Sequence, residues 1–285
     1  MKKNILVTGA TGLLGPYLVK FMNSIGRVSS SGKTSGHFPC NLTNISETKN
    51  LIKKTKPDIV LHAAALTNID FCEKNPQLAL MLNTEVVDNI IQVLDNKVKF
   101  IFISTDQVYP NSSGPHSEEN TGPVNLYGET KLLGEIAALK NKNSLILRTN
   151  FFGQSLNNKK KSLSDFFINE FSNLKNLNLF TDVKFSPLHM TSLCGLIQDL
   201  INISAKGIYN VGSRQGMSKA DFALQIANDL NFSSAKTNLI QSTELSRTPR
   251  TLDLRMDVNK IENTLDKKMP TLFDEIKKIN LREKS

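Results

Sequence analysis

Short apolar runs that alternate with amphipathic stretches dominate the first half of the chain. The runs are NILVT (4–8), DIVLHAA (58–64), KFIFIST (99–105) and SLILRT (144–149). The helix candidates between them cover residues 12–24, 45–55, 76–95 and 126–140. Continuous hydrophobic strands are what a parallel sheet covered on both faces requires. The alternation therefore predicts an α/β fold, a doubly wound parallel sheet with right-handed crossovers.

The first predicted strand runs directly into the sequence TGATGLLG, which places glycines at 9, 12 and 15. Glycines at such a turn let the backbone reverse tightly and approach a pyrophosphate, and the following helix offers free N–H groups to the anion. The spacing is Gly-x-x-Gly-x-x-Gly rather than Gly-x-Gly-x-x-Gly, but its position after an N-terminal hydrophobic strand makes it informative. The turn predicts a Rossmann-type sheet that binds a dinucleotide.

The residues that follow this turn favour NADPH, with NADH as the alternative. An acidic residue about twenty positions after the glycines would bind the ribose 2′-hydroxyl of NAD. The stretch GRVSSSGKTSGH (26–37) contains no acidic residue and instead offers serines, Arg27 and Lys33. Hydroxyl groups and cations suit a 2′-phosphate, so we expect NADPH.

Past residue 150 the alternation loosens. The sequence GIYNVG (207–212) predicts one further sheet strand, and 217–230 predicts a helix capped by Ser218, with Asp221 at its third position. The remainder predicts a smaller C-terminal substrate-binding portion. The expected division is a dinucleotide-binding domain of residues 1–149 with 189–211, and a substrate-binding portion of residues 150–188 with 212–285.

Charge and composition limit the classes of partner. The chain of 285 residues carries 35 Lys and Arg against 26 Asp and Glu, a net charge of +9, which suits an anionic small substrate. The one dense basic run, NNKKKS (157–162), lacks interleaved aromatic residues, so no nucleic-acid partner is expected. No apolar stretch reaches eighteen residues, so no membrane partner is expected. Cys40, Cys72 and Cys194 are scattered and odd in number, which predicts reduced thiols in the cytoplasm and no metal site.

A tyrosine and a lysine stand four positions apart in NLYGETK (125–131), where a predicted helix begins. Residues at i and i+4 share one face of a helix. A phenol normally loses its proton only near pH 10, and a fixed cation beside it lowers that pKa. The spacing therefore predicts that Lys131 lowers the pKa of Tyr127 and lets it exchange a proton near neutral pH.

Five motifs in order carry a resemblance to a known family. They are TGATGLLG, HAAALTNID (62–70), FISTDQVYP (102–110), NLYGETK and LRTNFFG (147–153). They resemble the extended short-chain dehydrogenase/reductase family, and within it the reductases that act on dTDP-4-dehydrorhamnose. The resemblance is strong to residue 153 and fainter afterwards. It implies NAD(P)H-dependent reduction of the 4-keto group of a deoxysugar nucleotide, in the synthesis of polysaccharides or secondary glycosides.

The resemblance also implies residue roles. Thr105, Tyr127 and Lys131 would be catalytic, with Tyr127 donating the proton that accompanies the hydride of the nicotinamide. Cofactor contacts would come from Gly9, Thr11, Gly12, Leu13, Leu14, Asn41, Leu42, Ala63, Ala64, Ala65, Leu66 and Thr67, together with Tyr127 and Lys131. Substrate contacts would come from Thr105, Asp106, Phe151 and Arg250, the last with Arg247 and Arg255 near a nucleotide diphosphate.

Two positions depart from the family pattern, Asn41 near the adenine and Phe151 beside the substrate, and the second leaves the identity of the sugar open. Asn41 stands where an aspartate is usual, and Phe151 stands where the rhamnose-forming reductases often carry a tryptophan. A dehydratase of the same superfamily would need an Asp-Glu pair, whereas here Asp106 is followed by Gln107, which cannot titrate. An epimerase-reductase would need an extra acid/base pair, and His189 is expected to be structural or at the substrate edge.

Two further questions stay open from the sequence. A non-catalytic, NADP-binding regulatory subunit is the alternative from another class, because relatives of these reductases serve methionine adenosyltransferase as binding partners and keep the dinucleotide fold without needing turnover. The intact Thr105, Tyr127 and Lys131 favour catalysis. Assembly as a homodimer is an option that the sequence does not decide.

Overall fold

The computed structural model describes residues 2–33, 36–244 and 248–279. In chain order its strands are β1 (Lys3–Thr8), β2 (Gly26–Ser31), β3 (Ile59–His62), β4 (Lys99–Ile103), β5 (Ser144–Thr149), β6 (Phe151–Phe152), β7 (Leu177–Phe180), β8 (Lys184–Phe185), β9 (Leu188–His189), β10 (Gly207–Val211), β11 (Met217–Ser218), β12 (Thr237–Ile240) and β13 (Asp253–Leu254). Its α-helices are α1 (Gly15–Met22), α2 (Ile45–Thr55), α3 (Ile69–Lys74), α4 (Pro76–Leu80), α5 (Val86–Val93), α6 (Leu126–Leu139), α7 (Leu163–Ser172), α8 (Met190–Asn202), α9 (Lys219–Asp229), α10 (Asn259–Leu265) and α11 (Leu272–Ile276).

A six-stranded parallel sheet in the order β10-β5-β4-β3-β1-β2 forms the centre of the molecule. Strands β3, β4 and β5 are buried along their whole length, which explains the continuous apolar runs in their sequences. The strand order reverses between β1 and β3. In open sheets of this kind, ligands bind at the carboxyl ends of the strands beside such a reversal.

Helices cover both faces of the sheet. One face packs against α1 and α8 through residues such as Leu18 and Leu193, and the other packs against α2, α5 and α6 through residues such as Leu51 and Ile90. The predicted doubly wound α/β fold is therefore confirmed. A separate apolar cluster, rich in phenylalanine, joins β6, β8, α7, α9 and α11 beyond residue 150.

Local chemistry sets the ends of several helices. Ser218 caps α9 by accepting a hydrogen bond from the N–H of Asp221 at 3.0 Å, as the sequence predicts. Helix α1 begins at Gly15, three residues later than predicted, because residues 9–14 form the glycine turn. The predicted helix 76–95 is α4 and α5 joined by a π-helical turn, Met81–Glu85. None of the helices described here has the length and apolar character needed to cross a membrane.

Candidate functional site

The glycine turn packs closely against the segment that follows β3. Gly9 adopts a φ of +75°, and a Cβ there would lie 2.5 Å from the backbone nitrogen of Ala64. A Cβ on Gly15 would lie 2.4 Å from the carbonyl oxygen of Gly9. The N-cap of α1, Leu14, makes no side-chain hydrogen bond, so side chains leave the first N–H groups of the helix uncapped. The turn thus keeps a backbone surface for an anion.

Two adjoining clefts open at the carboxyl edge of the sheet. The outer cleft contains these predicted cofactor residues: Gly9, Thr11, Gly12, Asn41, Leu42, Ala63, Ala64 and Ala65. The inner cleft contains these predicted residues: Gly12, Leu13, Leu14, Ala63, Ala65, Thr67, Thr105, Asp106, Tyr127 and Phe151. Gly12, Ala63, Ala65 and Lys160 line both clefts and form their waist. The structure therefore gathers most of the predicted residues along one groove.

Two predicted cofactor residues, Lys131 and Leu66, line neither cleft. Leu66 is held from outside the groove. Its side chain packs with Tyr127 and Ile69, and its backbone N–H donates to Asn83 Oδ1 at 2.8 Å. Asn83 Nδ2 donates in turn to the Leu66 carbonyl at 3.0 Å and to Thr130 Oγ1 at 3.1 Å. Asn83 therefore fixes the segment 63–67 from behind. A single polar residue within an amphipathic stretch is too weak a pattern to predict this role.

Thr105 and Tyr127 meet at the inner end of the groove. Thr105 follows β4, accepts a hydrogen bond from the N–H of Gln107 at 3.2 Å and donates to Asp106 Oδ1 at 3.2 Å. The Thr105 hydroxyl and the Tyr127 phenol both line the inner cleft, and the hydroxyl partly offsets the rise that burial causes in the pKa of the phenol. Tyr127 lies in the first turn of α6, which Asn125 caps by accepting from the Gly128 N–H at 2.9 Å. A hydroxyl and a phenol thus face one small space.

The pKa of Tyr127 shifts in the direction opposite to that predicted. Burial raises it well above its ordinary value, the hydroxyl of Thr105 opposes the rise, and the carboxyl of Asp106 and the thiol of Cys72 add to it. Lys131 does not supply the lowering that the i, i+4 spacing suggested. Its ammonium is directed elsewhere, so desolvation of the phenol dominates.

Lys131 lies one turn along α6 and is fully buried. Its Nζ donates to the carbonyl oxygen of Ile103 at 2.7 Å and stands 3.8 Å from the centroid of the Phe102 ring. Burial lowers the pKa of Lys131 to about 7, and the carboxylate of Glu135 opposes that shift. The amine is therefore held at the end of β4, directly behind the inner cleft.

Asp106 is also buried, and burial raises the pKa of its carboxyl. Its Oδ2 accepts from Asn150 Nδ2 at 2.7 Å, and Asn150 itself lines the inner cleft. Gln107 lines the same cleft, and its Oε1 accepts from Asn125 Nδ2 at 3.3 Å. The position where a dehydratase would need a titrating glutamate thus holds a fixed amide.

The serine-rich strand β2 ends at the outer cleft. Ser31 and Lys33 line that cleft, and Ser31 Oγ is buried without a hydrogen-bond partner among the described residues. Arg27, in contrast, pairs in register with Asn4 at the opposite end of the strand. It lies roughly 13 Å from Ser31 at about 3.3 Å per residue. Of the two cations named from the sequence, only Lys33 reaches the groove.

The three late arginines do not line either cleft where they are described. Arg250 Nη2 forms an ion pair with Asp70 of α3 at 3.1 Å. Arg255 Nη2 forms one with Asp253 at 2.6 Å, which ties it to its own segment. Arg247 lies outside the described residues. Arg250 therefore lies beside the groove, and its role in binding substrate stays a prediction.

Other sequence expectations concern histidine and cysteine. His189 caps α8, with its Nδ1 2.7 Å from Thr191 Oγ1, and its backbone N–H donates to Glu275 Oε2 at 2.7 Å. These contacts give it a structural role. Cys40, Cys72 and Cys194 are free and buried. Within residues 2–33, 36–244 and 248–279, no group of three or more His, Cys, Asp or Glu side chains could hold a metal ion.

The sheet, the glycine turn and the Thr-Tyr-Lys arrangement define a Rossmann-type protein with the fold of the short-chain dehydrogenase/reductases. The chain belongs to the RmlD substrate binding domain family, whose model matches residues 1–283. The family resemblance read from the sequence is thereby confirmed.

Individual relatives differ in what they do. The chain is 31% identical over 274 residues to methionine adenosyltransferase 2 subunit beta of Xenopus laevis, which covers 91% of this chain and 82% of that protein. It is 34% identical over 152 residues to the dTDP-4-dehydrorhamnose reductase of Salmonella typhimurium, which covers 52% and 51%. The crystal structure of a dTDP-4-dehydrorhamnose reductase from Bacillus anthracis in complex with NADP superposes with a TM-score of 0.90 at 24% identity, covering 98% and 99%.

Proposed function

We propose that the protein is an NADPH-dependent reductase of the 4-keto group of a deoxysugar nucleotide, with dTDP-4-dehydrorhamnose as the substrate and dTDP-L-rhamnose as the product. The observation that carries the proposal is the meeting of Thr105 and Tyr127 at the inner end of a groove that begins at the glycine turn. Relatives named dTDP-4-dehydrorhamnose reductase support the choice of substrate.

The residues of the outer cleft fit a dinucleotide phosphate. Gly9 lets the turn pack against Ala64, and Gly9, Thr11 and Gly12 line the outer cleft, where a pyrophosphate would lie. The buried hydroxyl of Ser31, which has no hydrogen-bond partner among the described residues, and the nearby Lys33 suit the 2′-phosphate that distinguishes NADPH from NADH. When bound, the nicotinamide supplies the hydride of the reduction.

The residues of the inner cleft would supply the proton and the orientation. The phenol of Tyr127 keeps its proton at neutral pH and would donate it to the carbonyl oxygen, a transfer that its raised pKa makes more costly. The Thr105 hydroxyl would hold that oxygen beside the phenol. Asp106, fixed by Asn150, and the half-buried ring of Phe151 would contact the sugar. For Lys131 to contact the nicotinamide ribose and stabilise the phenolate, its ammonium would have to turn from the Ile103 carbonyl towards the inner cleft.

The remaining parts of the proposal concern organisation. Residues 1–149 with 189–211 would hold the cofactor, and residues 150–188 with 212–285 would hold the sugar nucleotide. Arg250, beside the groove, would face the nucleotide diphosphate. The reaction would take place in the cytoplasm, as part of sugar-nucleotide biosynthesis, and a homodimer would be its assembly.

A second candidate function is that of a non-catalytic regulatory subunit that binds NADP and a methionine adenosyltransferase. The relative that favours it is the Xenopus laevis subunit, which matches 91% of the chain. The two functions differ in one observable property. A reductase consumes NADPH when a keto-sugar nucleotide is present, whereas a regulatory subunit binds NADPH without consuming it.

The first prediction tests turnover through Tyr127. Purified protein supplied with NADPH and dTDP-4-dehydro-6-deoxy-L-mannose should oxidise NADPH, followed as the fall in its absorbance. Tyr127→Phe removes the proton donor and keeps the ring, so we expect kcat to fall at least about 100-fold, within the range typical of general acid catalysis. The affinity for NADPH should stay within about 2-fold. Equal turnover by the variant would exclude the proposed mechanism, and NADPH binding without turnover by the wild type would favour the regulatory subunit.

A further inference from the structure

The basic run NNKKKS, which the proposed function does not use, lies over the glycine turn. Lys160 belongs to this run and lines both clefts at their waist, together with Gly12, Ala63 and Ala65. The other three residues of the waist carry no charge. Lys160 is thus the charged residue among the four that the outer and inner clefts share.

Specific hydrogen bonds hold the run in this place. Asn157 Nδ2 donates to the carbonyl oxygen of Thr11, within the glycine turn, at 2.8 Å. Just before it in the chain, Gln154 accepts a hydrogen bond from the hydroxyl of Tyr17 of α1 at 2.8 Å. The Lys160 N–H donates to the Asn157 carbonyl at 2.9 Å. The segment is therefore fastened across the turn from residues more than 130 positions away in sequence.

The charges along the groove favour an anion at the waist. The described residues that line the two clefts include three lysines, Lys33, Lys160 and Lys161, and a single carboxylate, Asp106. Asp106 lies at the inner end, and its raised pKa weakens its negative charge at a given pH. The N-terminus of α1, where the cap residue Leu14 makes no side-chain hydrogen bond, adjoins the same point, whereas the N–H groups of Ala10 and Gly12 in the turn donate to the carbonyls of Ser31 and Gly9. An anion at the waist would meet a cation on one side and N–H groups on the other.

We propose that residues 157–161 form a phosphate clamp, in which the Lys160 ammonium binds the pyrophosphate of the dinucleotide opposite the glycine turn. A dinucleotide lying along the groove has its two phosphates between its two nucleoside halves, so they fall at the waist. The inference rests on the proposed cofactor and adds a contact from outside the βα turn. The clamp joins the cofactor to the segment that leads into α7.

The test compares Lys160→Ala with Lys159→Ala. Lys159 is the preceding exposed residue, carries the same charge and lines neither cleft. Dissociation constants for NADPH and NADH would be measured by calorimetry without any sugar nucleotide. We expect Lys160→Ala to weaken both cofactors about 10-fold, as loss of one charge-assisted hydrogen bond would do. Lys159→Ala should change either value less than about 2-fold.

Two further comparisons separate the possible outcomes. The pyrophosphate is common to both cofactors, so a loss confined to NADPH would place Lys160 at the 2′-phosphate and overturn the clamp. A change confined to the KM of the keto-sugar nucleotide would place Lys160 on the substrate and also overturn the clamp.

Asn157→Ala, which removes the anchor and keeps the lysines, should weaken the binding of both cofactors as well. Equal affinities for Lys160→Ala and Lys159→Ala would refute the clamp, whereas a wild type that binds neither cofactor would refute the proposed function.

Discussion

At the scale of single residues, burial decides the protonation of the groups beneath the inner cleft. Burial raises the pKa of Tyr127, lowers that of Lys131 to about 7 and lowers that of His62 to about 3. Each shift favours the neutral form of its group. His62 is hydrogen-bonded to Thr8, its Nδ1 lying 2.7 Å from the Thr8 Oγ1. At neutral pH the Tyr127 phenol is therefore protonated, the His62 imidazole is neutral and the Lys131 amine is near its own pKa.

Lys131 gives a prediction for stability against pH. Its pKa is about 7 in the folded protein, against an ordinary value of 10.5. Between these values the unfolded chain holds more protons, so the free energy of unfolding rises with pH, by at most about 1.4 kcal/mol per unit. Below pH 7 both states are charged and the cost of burial is fully present. Urea unfolding at pH 7, 8 and 9 would compare the wild type with Lys131→Met. The free energy of unfolding of the wild type minus that of the variant should increase by about 1 kcal/mol per pH unit.

The difference between the two proteins is the quantity to follow, because other titrating groups are common to both and cancel. A difference that stays constant from pH 7 to 9 would show that Lys131 keeps its charge in the folded state. The amine would then be stabilised by Glu135 more strongly than burial penalises it.

At the scale of elements, the hydrophobic pattern predicted the strands that are buried on both faces. It did not predict β2, a polar strand at one edge of the sheet. Strands β1, β3, β4 and β5 correspond to the four apolar runs. Strand β2, with the sequence GRVSSS, has only one neighbour in the sheet and reads as polar. Its register places Ser31 at the groove and Arg27 away from it, which a pattern without register could not decide.

The residues of the site also fall into two groups, those that local sequence predicts and those that it does not. Residues that follow a strand or open a helix, such as Thr105 and Tyr127, were found because their motifs are contiguous in sequence. Asn83, Asn150 and Lys160 act across the fold, through contacts with Leu66, Asp106 and the waist of the groove. No local pattern marks such contacts, because they depend on tertiary packing.

The glycine turn gives a prediction for an element. Gly9→Ala puts a Cβ 2.5 Å from the Ala64 nitrogen at a φ of +75°, so we expect lower stability and at least about 10-fold weaker NADPH binding. Gly195→Ala in α8 is the matched control, because a Cβ there meets nothing within 4 Å. That change should stabilise the protein by about 0.5–1 kcal/mol. Melting curves and calorimetry with NADPH would measure both, and unchanged binding by Gly9→Ala would contradict a backbone contact at this turn.

At the scale of the whole molecule, a buried polar network joins the sheet to distant segments. Arg148 of β5 pairs with Glu135 of α6 at 2.7 Å, with side chains only 2% and 1% exposed. The Arg148 guanidinium also donates to the hydroxyl of Tyr109 and to the Glu118 carbonyl. Tyr109 in turn hydrogen-bonds Asn210 of β10. One network of contacts thus links residues near the inner cleft to β10 at one edge of the sheet.

The contribution of the Arg148–Glu135 ion pair to the free energy of unfolding can be tested against that of an exposed ion pair. Glu135→Gln leaves the buried Arg148 charge without its partner, so we expect a loss of about 3–5 kcal/mol in the free energy of unfolding. Asp88→Asn breaks the pair of Asp88 with Lys140, whose side chains are 30% and 61% exposed, and should cost less than about 1 kcal/mol. Urea unfolding would measure both. Because Glu135 also accepts from Ser104, next to Thr105, its loss should loosen the inner cleft and lower turnover, and equal small losses for the two variants would show that the network adds little.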